Sequence, residues 1–190
     1  MTDRRILIVF QSSEGQTAKI AERVAMSLRG AGADVDVHPV WAAPPLSGYD
    51  AVVVGGSIHM SRHSKELTDY LASHAEALNA VPSAFFQVSL TSANSDPEHS
   101  VLARSMVRQL LEATGFKPDA VGLFAGALAY RRYGWAKRRL LRAVAQKMGL
   151  DADMTRDHEY TSWAEVEKFA HQVDALATGG TQSLPSGAAR

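Results

Sequence analysis

Apolar positions recur in two rhythms along this chain, and the rhythms alternate. Ile6 to Phe10 is a continuous apolar, β-branched run, as expected of a strand covered on both faces. Ala18, Ile20, Ala21, Val24, Ala25 and Leu28 follow at helical spacing until Gly30 and Gly32 stop the pattern. Asp34 to His38 alternates as a short edge strand, and Ala51 to Gly56 is a second buried strand closing on a glycine pair. Lys65 to Leu78 is helical by pattern, Ala84 to Leu90 is another strand, and a helix runs from about Glu98 to Thr114. Val121 to Leu128 makes the fifth strand. A last helix spans about Ser162 to Ala177, with Ser162 and Glu165 spaced as a capping box. Strands alternating with helices predict a parallel sheet with helices on both faces. Right-handed crossovers then favour a doubly wound α/β sheet in the order 2-1-3-4-5. Residues 1–178 are expected to form one domain with a helical insertion at about 130–160. Residues 179–190 lack periodicity and are expected to form a disordered tail.

Composition narrows the chemistry. The chain has 190 residues, a length that suits a single domain. It contains no cysteine, which excludes disulfides, iron–sulfur clusters, thiolate zinc sites and cysteine nucleophiles together. Redox chemistry would therefore need a borrowed cofactor. The histidines are scattered at spacings that suggest no metal site, so no metal is expected. No apolar run approaches the roughly 18 residues a spanning helix needs, so a cytoplasmic protein is the default expectation.

Lys+Arg and Asp+Glu are equal at 20 each, but the balance is local rather than uniform. Arg131, Arg132, Lys137, Arg138, Arg139, Arg142 and Lys147 fall in one stretch without an acid, leaving the rest net acidic. Within it Trp135, Leu140, Leu141, Val144 and Met148 share one helical face, the pattern of an interfacial basic helix. The alternatives are a helix packed on the sheet with a solvated basic face, or an anion-binding patch. A single basic patch does not make a nucleic-acid platform, so nucleic acid is not an expected partner.

In doubly wound sheets, ligands sit beyond the carboxyl ends of the strands where the winding reverses. That places Gln11 to Thr17 beside the loop following the third strand, Gly55 to Met60. The first loop has neither a Walker pattern nor a GxGxxG. Its components are Ser12, Ser13, Glu14, Gly15, Gln16 and Thr17. Three hydroxyls, a glycine and the free N–H groups of a helix start suit a terminal phosphate monoester. The bland alternative is an ordinary turn in which Ser13 caps the helix.

Ser12-x-Glu14-Gly15-x-Thr17 resembles the phosphate loop of flavodoxins, which holds the phosphate of FMN. Its third position departs from the usual hydroxyl, and Glu14 is expected to point into solvent while its N–H donates. Further motifs narrow the resemblance to the flavodoxin-like, quinone-dependent protoporphyrinogen dehydrogenases. These are Gly55-Gly56-Ser57-Ile58, Pro82-Ser83-Ala84-Phe85-Phe86-x-Val88-x-Leu90, and Ala125-Gly126-Ala127-Leu128-x-Tyr130-x-Arg132-Tyr133-x-Trp135 with Tyr160-Thr161-x-Trp163.

The resemblance implies FMN as cofactor, with the phosphate on residues 12–17. The ring would lie between Gly56, Ser57, Ile58 and His59 on one side and Leu90, Thr91 and Ser92 on the other. It implies removal of hydrogen from protoporphyrinogen IX and delivery to menaquinone or ubiquinone, with Tyr130, Arg131, Arg132, Arg138 and Arg139 meeting substrate or membrane. Peripheral contact with the cytoplasmic face of the inner membrane would serve a quinone-linked enzyme. No catalytic side chain is assigned; His59 is expected to pack on the ring or face solvent rather than act as a base. The competing readings are a flavodoxin-type electron carrier and an NAD(P)H-fed FMN quinone reductase. Carriers are usually strongly acidic, unlike this chain.

Overall fold

A computed structural model describes residues 4–59, 62–93, 97–128, 130, 134–147, 149, 151 and 153–179 of this chain. Arg131, Arg132, Tyr133, Met60, Met148 and residues 180–190 of the expected tail lie outside the described residues.

Five parallel strands form the sheet: β1 (Arg5–Gln11), β2 (Asp34–Pro39), β3 (Ala51–His59), β5 (Ser83–Ser89) and β6 (Ala120–Ala125). Their order is β2-β1-β3-β5-β6, which is the expected 2-1-3-4-5 winding of a flavodoxin-like sheet. Continuous apolar runs became central strands because both faces are covered: Ile6, Leu7, Ile8 and Val9 are all fully buried. Helices α1 (Gln16–Gly30) and α5 (Trp163–Ala177) cover one face; α2 (Lys65–Asn79) and α3 (Pro97–Thr114) cover the other. Ser162 accepts a hydrogen bond from Glu165 N–H at 3.4 Å, so the expected N-cap of α5 forms.

Each face has its own core. Under α1 and α5, Phe86, Phe124 and Phe169 meet with ring centroids 5.6–6.1 Å apart in tilted and edge-on arrangements. Under α2 and α3, Leu67, Leu71, Phe85 and Phe116 are buried together.

The structure departs from the sequence pattern at two strand ends, both at the carboxyl edge of the sheet. The apolar run from Val121 to Leu128 is not one strand. At Gly126 the chain leaves the sheet: its N–H donates to Ser89 O at 3.1 Å, and its carbonyl accepts from Tyr160 N–H at 3.1 Å. The next residues form β7 (Ala127–Leu128), which pairs antiparallel with β8 (His158–Glu159). The second departure follows β3, where β4 (Arg62–His63) folds back so that Ile58 faces His63 and His59 faces Arg62.

Between β7 and β8 runs the basic helix α4 (Trp135–Lys147). A small core of Leu128, Tyr130 and Ala145, with Leu90, Leu141, Met154 and Tyr160 against it, seats the insertion on the end of the sheet. The apolar stripe expected on one face of this helix is divided. Leu141 and Val144 are half-buried and Ala145 is fully covered, whereas Trp135 is 77% exposed and Leu140 61% exposed.

Candidate functional site

The site is built at the point where β1 and β3 send their chains to opposite faces of the sheet. β1 ends at Gln11, and α1 begins five residues later. Gly15 is the N-cap residue with φ 97°, a left-handed conformation that favours glycine, and it has no side chain with which to cap the helix. Ser12 Oγ accepts from Gly15 N–H at 3.0 Å and so fixes the turn instead. The first turn of α1 carries no acid, and its N–H groups and the positive end of the helix dipole face the loop. Ser13 therefore does not cap the helix, and its hydroxyl lines a cleft with Glu14, Gln16 and Thr17. Glu14 was expected to point into solvent. It is half-buried and borders both this cleft and a neighbouring cavity shared with Lys19, Asp157 and Glu159.

Opposite the loop stand Ser57, Ile58 and His59 from the end of β3, and Val88, Ser89 and Leu90 from the end of β5. Gly56, expected here to admit a close ligand, does not line the cleft. A Cβ at Gly56 would lie 2.2 Å from Leu67 Cδ2, and one at Gly55 would lie 2.1 Å from Phe86 Cζ. The glycine pair makes room for helix α2 and for the aromatic core, not for a bound molecule. Thr91 is buried in a single 3₁₀ turn, and Ser92 turns back on Ser89 with their hydroxyl oxygens 2.9 Å apart, so only Leu90 of that trio reaches the cleft.

The remaining wall was not anticipated. Gly126, Ala127 and Leu128 line the cleft where the chain leaves the sheet, and Leu141 lines it from the middle of α4. The insertion is also tied directly to the first loop. Gln16 Nε2 donates to Thr161 Oγ1 at 2.8 Å, Thr161 Oγ1 donates to Ala125 O at 2.7 Å, and Lys19 forms an ion pair with Glu159. Gln11 was missed as well. It accepts from Ser57 Oγ at 3.1 Å and donates to Ser13 Oγ at 3.3 Å. A polar residue ending an otherwise apolar strand was the available signal for it.

Two residues expected to meet substrate or membrane are occupied internally. Tyr130 is fully buried, with its ring edge-on to His158 at 5.8 Å, and burial raises its hydroxyl pKa. Arg138 is half-buried and donates to Met154 O at 2.5 Å. Arg139 is exposed, as is Arg142. The return segment toward β8 is stiffened by short polar contacts. Asp151 accepts from Asp153 N–H and pairs with Arg156, and both effects hold its carboxyl below the usual range. His158 Nε2–H donates to Asp153 O at 2.8 Å, which fixes the proton on that nitrogen when the ring is neutral.

In the β3–β4 hairpin, His63 is packed edge-on to Phe85 at 6.0 Å between centroids. Burial lowers its pKa to about 4, and the Gln87 amide beside it offsets only part of that effect.

These residues fit a phosphate-bearing aromatic cofactor. The N–H groups of a helix start and the residues Ser13 and Thr17 stand at one end, and apolar side chains line the other.

A flavodoxin-domain family model matches residues 7–155. The protoporphyrinogen IX dehydrogenase (quinone) of Escherichia coli strain K12 is 32% identical over 174 residues, covering 90% of this chain and 96% of that protein. A protein of the same name from Leishmania major is 31% identical over 175 residues, covering 90% of this chain and 75% of that protein. Among solved structures, a flavodoxin from the domain Archaea shares the fold with a TM-score of 0.54 at 14% identity, covering 92% of this chain and 99% of the other.

Proposed function

This chain belongs to the flavodoxin-domain family, and from that premise we propose that it is an FMN-dependent, quinone-linked protoporphyrinogen IX dehydrogenase of haem synthesis. The reading is carried by the wall that α4 and β7 add to the phosphate-loop cleft through Leu128 and Leu141. A simple electron carrier has no use for such a wall, whereas an enzyme that must seat an apolar macrocycle beside a flavin does. The relatives named for this activity match along nearly the same length.

FMN, when bound, supplies reversible two-electron acceptance of hydrogen. The chain's own residues supply placement. Ser13, Thr17 and the first N–H groups of α1 hold the phosphate. Ser57 to His59 and Leu90 flank the ring, and Leu128 with Leu141 keeps water from its insertion side. No side chain in the cleft is assigned as acid or base. Residues 1–178 act as one unit in this reading.

The outward side of α4 is the proposed contact with the cytoplasmic face of the inner membrane, where menaquinone or ubiquinone resides. No helix among the described residues is long and apolar enough to cross a membrane. Exposed Trp135 and Leu140 beside exposed Arg139 and Arg142 give α4 an apolar anchor and two cations. Each cation near an anionic leaflet contributes about 1 kcal/mol, which suits reversible binding. Arg131 and Arg132 remain candidates for the substrate's propionates. Anionic vesicles should sediment the wild type, and Arg139→Glu/Arg142→Glu should stay in the supernatant; equal sedimentation of both would remove α4 from the contact.

The cofactor assignment is tested by titrating apoprotein with FMN. The wild type should bind one equivalent and quench flavin fluorescence. Thr17→Glu should abolish binding by placing an anion on the floor of the phosphate loop. A Thr17→Glu protein that stays yellow would overturn the phosphate assignment.

A further inference from the structure

Gln11 connects the two loops that would hold opposite ends of the cofactor. In the β1–β3 register it lies opposite Gly56, one residue from Ser57. Its amide has one acceptor and one donor group, and each is used. Gln11 Oε1 accepts from Ser57 Oγ at 3.1 Å, and Gln11 Nε2 donates to Ser13 Oγ at 3.3 Å. Both serines line the cleft.

The consequence is a fixed polarity at each hydroxyl. A hydroxyl has a single proton to donate. Ser57 spends its proton on Gln11, so toward the cleft it presents lone pairs only. Ser13 accepts from Gln11, so its proton remains available to an anion. The opposite amide orientation would reverse both, leaving Ser13 with lone pairs facing a phosphate. Only the observed orientation serves a phosphate at the first loop and an N–H donor at the second.

We infer that Gln11 is a positioning residue that makes Ser13 a hydrogen-bond donor to the cofactor phosphate and Ser57 an acceptor for a ring N–H. This rests on the FMN reading above. Reduction of a flavin adds an N–H donor to its ring, so an acceptor at Ser57 favours the reduced form. Gln11 therefore influences affinity through one serine and reduction potential through the other.

The test uses full-length wild type, Gln11→Leu, Gln11→Glu, Ser13→Ala and Ser57→Ala, and the pairings of Gln11→Leu with each serine variant. FMN affinity is read by fluorescence titration and midpoint potential by anaerobic dye equilibration. Thermal unfolding of each apoprotein confirms that it is folded. Gln11→Leu should weaken FMN about tenfold, the effect of one hydrogen bond to a charged group. Gln11→Glu, nearly the same shape but acceptor-only, should weaken it further, because it claims the Ser13 proton. Adding Gln11→Leu to Ser13→Ala should cost no further affinity. Adding it to Ser57→Ala should leave the lowered potential where Ser57→Ala alone puts it. Should Gln11→Leu fail to fold, the ordering of Gln11→Glu below wild type still decides the matter. Wild-type affinity in Gln11→Glu, with FMN bound by the wild type, would overturn this inference alone. A wild type that takes no FMN would overturn it together with the cofactor reading.

Discussion

His63 makes the stability of the β3–β4 hairpin depend on pH in a direction the structure specifies. Its pKa is lowered to about 4 because burial against Phe85 disfavours the charged ring. Above pH 6.5 the ring is neutral in both folded and unfolded chains, and folding is not penalised. As pH falls below 6.5 the unfolded chain gains a proton that the folded chain does not take up until about pH 4. Stability is therefore lost across that window at about 1.4 kcal/mol per pH unit. The loss reaches about 2 kcal/mol at pH 5, an upper value because part of the ring touches solvent. For a chain of this size that corresponds to a fall in Tm of roughly 4–8 °C. His63→Phe keeps an apolar ring on Phe85 and removes the titration. Thermal unfolding of both proteins from pH 7.5 to 4.5 gives the comparison, since carboxylates elsewhere titrate equally in each. The wild type should lose Tm faster than His63→Phe between pH 6.5 and 4.5. Parallel curves would refute the argument.

Four other outcomes follow from contacts already described. Gly56→Ala should destabilise by about 1–3 kcal/mol through collision with Leu67, yet leave FMN affinity near wild type, as thermal melts and titration would show. Phe169→Ala should cost about 3–5 kcal/mol in urea unfolding, because it opens a hole beside Phe86 and Phe124. Thr161→Val should cost about 1–3 kcal/mol by stranding the Gln16 amide and the Ala125 carbonyl, and should also loosen FMN, since Gln16 lines the cleft. Lys19→Met should change Tm little, under about 1 kcal/mol, because its ion pair with Glu159 is exposed.

The fold was legible because its information is repeated. Four consecutive buried residues in β1, or six apolar positions at helical spacing in α1, each state the same thing several times over. The first loop was legible as a cleft wall for another reason: in a doubly wound sheet the loop after β1 lies where the winding reverses, and Ser13, Glu14, Gln16 and Thr17 do line the cleft there. What could not be read were features decided by a single neighbour. The glycine pair at 55 and 56 looked like room for a ligand, but Phe86 and Leu67 fill that room from distant parts of the chain. Periodicity grouped Trp135 and Leu140 with Leu141, yet only the tertiary seat on Leu90 and Leu128 decides which part of α4 is covered. Tyr130, beside a run of arginines, read as surface and is core. Two-residue pairings such as β4 on β3 and β7 on β8 are too short to carry any period.

An anaerobic experiment with the FMN-loaded protein bears most directly on the proposed activity. Its visible spectrum is followed while protoporphyrinogen IX is added, and then while a menaquinone analogue is added. Bleaching of the yellow flavin by the first, and its return with the second as porphyrin fluorescence grows, is the predicted result. A protein that stays yellow when protoporphyrinogen IX is added would contradict the account and leave only a flavin-binding domain with another electron donor.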